Sequence, residues 1–174
     1  SPDPAIDKAA LDALRNSRKD QAENIMIVDL LRNDLSKVAQ LGSVSVPRLF
    51  AIESFTHVHH MVSTIEATLK ADLNAIDVLE ACFPGGSITG APKRRAYDII
   101  DEIEPFPRSA YCGSLFYADI AGKMQSSILI RTIVAEQGQM YCWGGGGIVA
   151  DSSCQAEFDE TLHKVGPLMK WFGE

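Results

Sequence analysis

Between Ala110 and Trp143 the chain carries three strand-like runs, Ala110 to Asp119, Met124 to Ala135 and Gln139 to Trp143, separated only by turns at Ala121-Gly122 and Gln137-Gly138. Turns that tight join antiparallel neighbours, whereas parallel strands need a long crossover. Helix-like segments surround these hairpins. Ile6, Ala10 and Leu14, then Ile25, Val28 and Leu31, recur at helical spacing, so Ala5 to Lys37 reads as one or two helices after an extended Ser1-Pro2-Asp3-Pro4 start. After a turn at Gly42, β-branched and aromatic residues from Ser43 to His57, and the alternation through Val58, His60, Val62 and Thr64, predict two strands. Asn74 with Asp77 resembles the cap and acidic first turn of a short helix running to Cys82. Phe83 to Gly90 is a loop by composition, and Pro92 suits the first position of a helix that Pro105 and Pro107 stop after Glu104. Helical spacing returns near Ser153 and runs towards Trp171, where Gly166-Pro167 predicts a break or kink. Elements in this order predict an α+β fold, an antiparallel sheet with packed helices, as one domain over residues 1–174.

Composition narrows the partners. The 174 residues hold 16 basic and 23 acidic side chains, a formal charge of −7, and no basic cluster longer than Lys93-Arg94-Arg95. Nucleic acid and an anionic membrane surface are therefore poor partners, and a small ligand or a protein fits better. With 46% hydrophobic and 22% charged residues the chain is ordinary globular material. No apolar run reaches the roughly 18 residues of a membrane-spanning helix. Cys82, Cys112, Cys142 and Cys154 form no C-x-x-C pair, which argues against a zinc ribbon or a thioredoxin motif and suits reduced thiols in the cytoplasm. The absence of an initiator Met leads to the expectation of a piece of a longer protein.

Several groups of residues are candidates for chemistry. Glu157, Glu160 and Lys164 fall at i, i+3 and i+7 of the last helix, so two carboxylates and an ammonium share a face. Asp20 and Glu23, also three apart, repeat the carboxylate pair in the first helical region. Such carboxylates are either solvated surface charge or ligands for a hard divalent cation such as Mg²⁺. The loop Gly85 to Gly90 leads into a helix whose first amides suit an anion, although it lacks the Gly-Lys-Ser/Thr order of a phosphate-binding P-loop; a turn without a ligand is the alternative. Gly144 to Gly147 could let a ligand carboxylate reach bare backbone N–H groups, or could be a tight turn. The match to a dinucleotide fingerprint beginning at Gly145 lacks the strand–helix–strand context that fingerprint requires. His57, His59 and His60 offer no complete zinc set, and Glu160-x-x-His163 has no second copy for a di-iron bundle. Arg131, predicted inside the apolar strand Ser127 to Ile133, would need a partner for a buried guanidinium: a ligand carboxylate or an internal acid.

In order along the chain, Lys19-Asp20-x-x-Glu23-Asn24, Ile27 to Asp34, Val58-His59-His60-Met61-Val62-Ser63, Gly85 to Lys93, Ile130-Arg131-Thr132, Gly144 to Asp151 and Glu157-x-x-Glu160-Thr161 resemble the chorismate-binding family. That family includes the anthranilate, aminodeoxychorismate, isochorismate and salicylate synthases. The stretch Phe83 to Gly90 looks most like the aminodeoxychorismate type. The resemblance implies the C-terminal portion of that fold, without its N-terminal strands. It also implies amination of chorismate to 4-amino-4-deoxychorismate in para-aminobenzoate and folate biosynthesis, with Mg²⁺ as cofactor and a glutamine amidotransferase supplying ammonia. By the same resemblance Glu23, Glu157 and Glu160, with Asp20 in a position where relatives often carry Glu, match the metal-binding acids. Arg131, Gly145, Gly146, Gly147 and Lys164 match groups that bind the substrate's carboxylates, and His60, Ser87 and Tyr111 match pocket positions. A nucleophilic Lys and a general acid are expected upstream of this chain, which predicts little synthase activity for these residues alone and self-association through uncovered apolar surface. An anthranilate synthase large subunit and a non-catalytic chorismate- or partner-binding module are the alternatives.

Overall fold

A computed structural model describes residues 3–56, 58–150 and 152–172. Its contacts divide the chain, expected from sequence as one domain, into two compact units, Ser1–Cys82 and Phe83–Glu174.

The first unit opens with helices α1 (Pro4–Asn16) and α2 (Arg18–Val38). Asp3 caps α1, its Oδ1 accepting from the amide of Ala5 at 2.8 Å, and Pro4 occupies the first helical turn, where a missing N–H costs nothing. Ser17 separates the helices. Its extended backbone ends α1, with its N–H bonded to the Leu14 carbonyl, while its Oγ accepts from the Asp20 amide at 3.2 Å and begins α2. Strands β1 (Ser45–Ser54) and β2 (His59–Glu66) pair antiparallel, with irregular register on both sides of Arg48. Those irregularities accommodate Pro47, which has no N–H for a regular ladder, and Phe50, whose φ is 55°. Helix α3 (Ala75–Cys82) starts as the sequence predicts: Asn74 Oδ1 accepts from the Ile76 amide, and Asp77 Oδ2 accepts from the Asn74 amide.

Helix α2 packs against β2 and α3, burying Val28, Asp34 and Val38. Asp34 is 2% exposed, and Lys37 Nζ donates to its Oδ1 at 2.8 Å, so the buried carboxylate has a charged partner one turn along. Asn24 fastens α2 to the hairpin. Its Nδ2 donates to the Met61 carbonyl at 3.4 Å and its Oδ1 accepts from Ser63 Oγ at 2.5 Å. Ser63 Oγ in turn accepts the Phe50 amide at 3.1 Å, which satisfies an N–H that the bulged ladder leaves out.

In the second unit, α4 (Gly86–Thr89) and α5 (Lys93–Ile103) precede two hairpins, β3 (Ser114–Ala118) with β4 (Met124–Ile128) and β5 (Ile133–Glu136) with β6 (Gln139–Cys142), and α6 (Cys154–Phe172) follows. All the strand pairs are antiparallel, as expected from the short turns. Gln137 and Gly138 both have positive φ, 50° and 76°, the geometry that matches a two-residue turn to the twist of its strands.

Three expectations are corrected here. Four residues of the predicted loop Phe83 to Gly90 form a helical turn, because Gly90, at φ 98°, lets its N–H fold back onto the Gly86 carbonyl at 2.9 Å. The strand predicted from Met124 to Ala135 is two strands. It breaks at Leu129 to Thr132, where Ile130 N–H bonds the Ile128 carbonyl and Arg131 takes φ 50°, so apolar composition alone did not report the change of direction. Helix α6 continues through Gly166-Pro167 instead of breaking. Pro167 forfeits one backbone bond, and a Cβ at Gly166 would meet nothing within 4 Å, so the residue before the ring has room.

Replacing Ser63 by Ala removes the donor to Asn24 and the acceptor for Phe50 together. The expected loss is about 1–3 kcal/mol of stability, read as a lower urea midpoint at unchanged m.

Candidate functional site

Helix α6 provides the frame. Glu157, Glu160, Thr161, Lys164 and Val165 follow one another at spacings of three, one, three and one, which aligns them along one face. Ser153 opens the helix, its Oγ accepting from the Ala156 amide and its carbonyl from the Glu157 amide. Glu157 is 7% exposed and Val165 is 8% exposed, so this face is turned inward.

The segment after β6 lies directly on that face. A Cβ at Gly144 would stand 2.6 Å from Val165 Cγ1 and 3.2 Å from Thr161 Cγ2; one at Gly145 would stand 2.9 Å from the Tyr111 hydroxyl. At Gly146 it would be 3.1 Å from Glu157 Oε2 and 3.4 Å from Glu160 Oε1. The glycine run is therefore required by close approach, which decides between the two sequence readings only in part: bare backbone is needed here whether or not a ligand binds. Two polar contacts fix the approach. Lys164 Nζ donates to the Gly145 carbonyl at 3.1 Å and to Glu160 Oε1 at 2.5 Å, and Glu followed four residues later by Lys is the favourable order on a helix. Ser152 Oγ donates to Glu157 Oε1 at 2.5 Å while accepting the Val149 amide at 3.1 Å, joining the end of the glycine segment to the carboxylate.

Tyr111 closes the other side of Gly145. Its ring stacks with Trp143 at 6.3 Å between centroids and 9° between planes, and the Arg108 guanidinium lies 5.8 Å over its centroid. Burial, reinforced by Cys112, pushes the Tyr111 phenol up to about 12, against the opposing charge of Arg108. At neutral pH it is a protonated donor beside the glycine run. Burial likewise pushes the Cys112 thiol up, so it is not an activated thiolate.

The structure brings together Tyr111, Gly145, Gly146, Glu157, Glu160 and Lys164 from the sequence-predicted set. Gly147 and Ser87 are exposed, Ser87 in the α4 turn. Arg131 is a correction: it is exposed in the break between β4 and β5, not buried in a strand, so no internal partner is demanded of it. Asp20, Glu23 and His60 belong to the first unit. Asp20 and Glu23 are half-buried on α2, Asp20 in its capped first turn; His60 sits opposite Glu53 in the hairpin, edge-on to Phe55 at 5.6 Å. His59 is engaged with Ser54 Oγ at 2.8 Å and Asp7 Oδ1 at 3.3 Å, while His57 and Asp151 lie outside the described residues. Among the described residues no cluster of three or more His, Cys, Asp or Glu side chains is gathered as a metal site, and no helix is long and apolar enough to cross a membrane. Sequence reasoning missed Ser152, Arg108 and Trp143. Only Trp143, an aromatic at the end of a strand beside four glycines, offered a signal.

These features define an α+β protein in which a bare-backbone segment lies on a helix face of two acids and a lysine. A family model described as chorismate binding enzyme matches residues 1–170, and the chain belongs to that family. It is 58% identical over 167 residues to aminodeoxychorismate synthase component 1 of Salmonella typhimurium, covering 96% of this chain and 37% of that protein. Anthranilate synthase component 1 of Arthrobacter globiformis is 48% identical over 159 residues, 91% of this chain and 30% of that one. The crystal structure of anthranilate synthase component I from Streptococcus pneumoniae superposes with a TM-score of 0.84 at 38% identity, over 92% of this chain and 37% of that one. The chain thus spans just over a third of the length of its aminodeoxychorismate synthase relative.

Two outcomes are expected. Gly144→Val should overpack the α6 contact and cost about 1–3 kcal/mol in chemical denaturation. Because the Tyr111 phenol is raised on folding, its contribution is fully present below the unfolded value near 10 and is lost as pH rises towards about 12. Stability should therefore fall over that window in the unsubstituted protein, with a shallower fall in Tyr111→Phe.

Proposed function

We propose that this chain carries part of the chorismate site of an enzyme that aminates chorismate to 4-amino-4-deoxychorismate, on the route to para-aminobenzoate. The observation that carries the reading is the convergence of Glu157 Oε2 and Glu160 Oε1 on the bare Cα of Gly146, with Lys164 bonded beside them. Identity of 58% to an aminodeoxychorismate synthase component, against 48% to an anthranilate synthase component, supports the amination at C4.

In this reading the substrate's carboxylates meet the Gly145 to Gly147 backbone, Lys164 and Arg131, whose exposure leaves it accessible to an external anion. Tyr111, a phenol protonated at neutral pH, donates a hydrogen bond at the pocket wall, and Ser87 is a further pocket position. Two carboxylates facing the space above one glycine are a hard-oxygen donor set, which fits Mg²⁺; Glu157 and Glu160 would hold it. The bound ion would neutralise a ring carboxylate and the charge that develops as hydroxide departs. Overall, ammonia replaces the C4 hydroxyl and water is released. A glutamine amidotransferase partner would supply the ammonia, and a cytoplasmic setting suits four free thiols.

The test is calorimetric titration of chorismate into this protein with and without Mg²⁺. Binding should require the ion and weaken at least tenfold, about 1.4 kcal/mol, in Glu160→Gln. Binding indifferent to both the ion and the substitution, or no binding with Mg²⁺ present, would overturn the reading.

A further inference from the structure

We infer that Arg108 is a positioning residue, which holds Tyr111 against the glycine run and fixes the Gly86–Thr89 turn through a single guanidinium. The inference rests on the chorismate reading only in treating Tyr111 and the turn as walls of the ligand site.

Each nitrogen of the guanidinium has a partner. Nε and Nη2 donate to Glu104 Oε2 and Oε1 at 2.8 and 2.6 Å, the paired geometry that fixes the plane of the group as well as its charge. Nη1 donates to the Ile88 carbonyl at 3.0 Å, inside the helical turn that carries Ser87. The guanidinium Cζ lies over the Tyr111 ring, 5.8 Å from the centroid, and the Arg108 carbonyl accepts the Tyr111 amide at 2.9 Å. Glu104 itself is anchored as the residue that ends α5, its N–H bonded to the Ile100 carbonyl. The end of a helix, a turn and an aromatic wall thus meet at one side chain, three-quarters buried at 25% exposure.

A Lys could retain the charge but not this arrangement, since an ammonium has no plane to align with a carboxylate, a carbonyl and a ring at once. The other ring contact of Tyr111, Trp143, directly follows β6, immediately before the glycines. If the guanidinium is removed, the phenol is free to turn away from Gly145 towards solvent.

The readout is the Tyr111 ionisation, followed by absorbance of the phenolate in the full chain and assigned by subtraction of Tyr111→Phe. In the unsubstituted protein this phenol should titrate well above the ordinary value near 10. In Arg108→Met, exposure of the freed ring should bring it down towards the ordinary value near 10, against the upward effect of losing the Arg108 charge, with loss of the near-ultraviolet circular dichroism of the Tyr111–Trp143 pair. Arg108→Lys should not rescue either signal. Glu104→Gln, which loosens the clamp without removing it, should shift both partway, and decides the question if Arg108→Met does not fold. A purely structural arginine would lower the melting temperature, leave the dichroism in place and leave the phenol as high or higher, since only a lowering charge is lost, and that result would overturn the inference. Because the titration needs no ligand, failure of chorismate to bind would count against the proposed function alone. In a protein that does bind, Arg108→Met should weaken chorismate at least as much as Tyr111→Phe, and the double variant should weaken it no further than Arg108→Met.

Discussion

The second unit depends on the close packing of backbone against a helix at Gly144 to Gly146. Helix α6 sets Glu157, Glu160, Thr161, Lys164 and Val165 in one stripe, and only a chain segment without side chains can lie on that stripe at the distances observed. A methyl group at Gly144 would sit inside the contact radius of Val165, and one at Gly146 would press on two carboxylates. The same constraint that packs the helix therefore leaves the acids facing bare backbone. Lys164 and Ser152 hold the two ends of the arrangement by hydrogen bonds to Gly145, Glu160 and Glu157.

The charge pattern around this contact is mixed. Glu104 is held below the usual carboxylate range by the Arg108 hydrogen bonds, while Tyr111 and Cys112 are pushed up chiefly by burial. The region therefore combines fixed charges, Glu104 with Arg108 and Glu160 with Lys164, with neutral donors. In the first unit, Asn24 and Ser63 perform the equivalent structural task, using two side chains to satisfy backbone groups that an irregular hairpin leaves unpaired.

Much of the secondary structure was legible because its signals are local. Asn74 and Asp77 announced α3, Pro92 announced the start of α5, and Gln137-Gly138 announced the turn between β5 and β6. Other features were not legible. Ile128 to Ile130 and Ile133 read as one apolar strand, but the backbone turns at Arg131, and hydrophobic composition does not encode direction. Pro167 is locally a helix breaker, yet α6 carries on past it, with buried Val165 packed on Gly144 just before the proline.

The sequence by itself determined the family, through long motifs in a fixed order, and the α+β class, through the period of its apolar residues and the shortness of its turns. It also determined that Glu157, Glu160 and Lys164 share a helix face, because helical geometry links residues three, four and seven apart. Which segments that face meets was decided by tertiary structure. Gly144 to Gly146, Tyr111 and Ser152 reach α6, and Arg108 reaches both Ile88 and Tyr111, through contacts between residues distant in sequence or bound by side-chain geometry. No local periodicity encodes such contacts; they arise only when the elements pack.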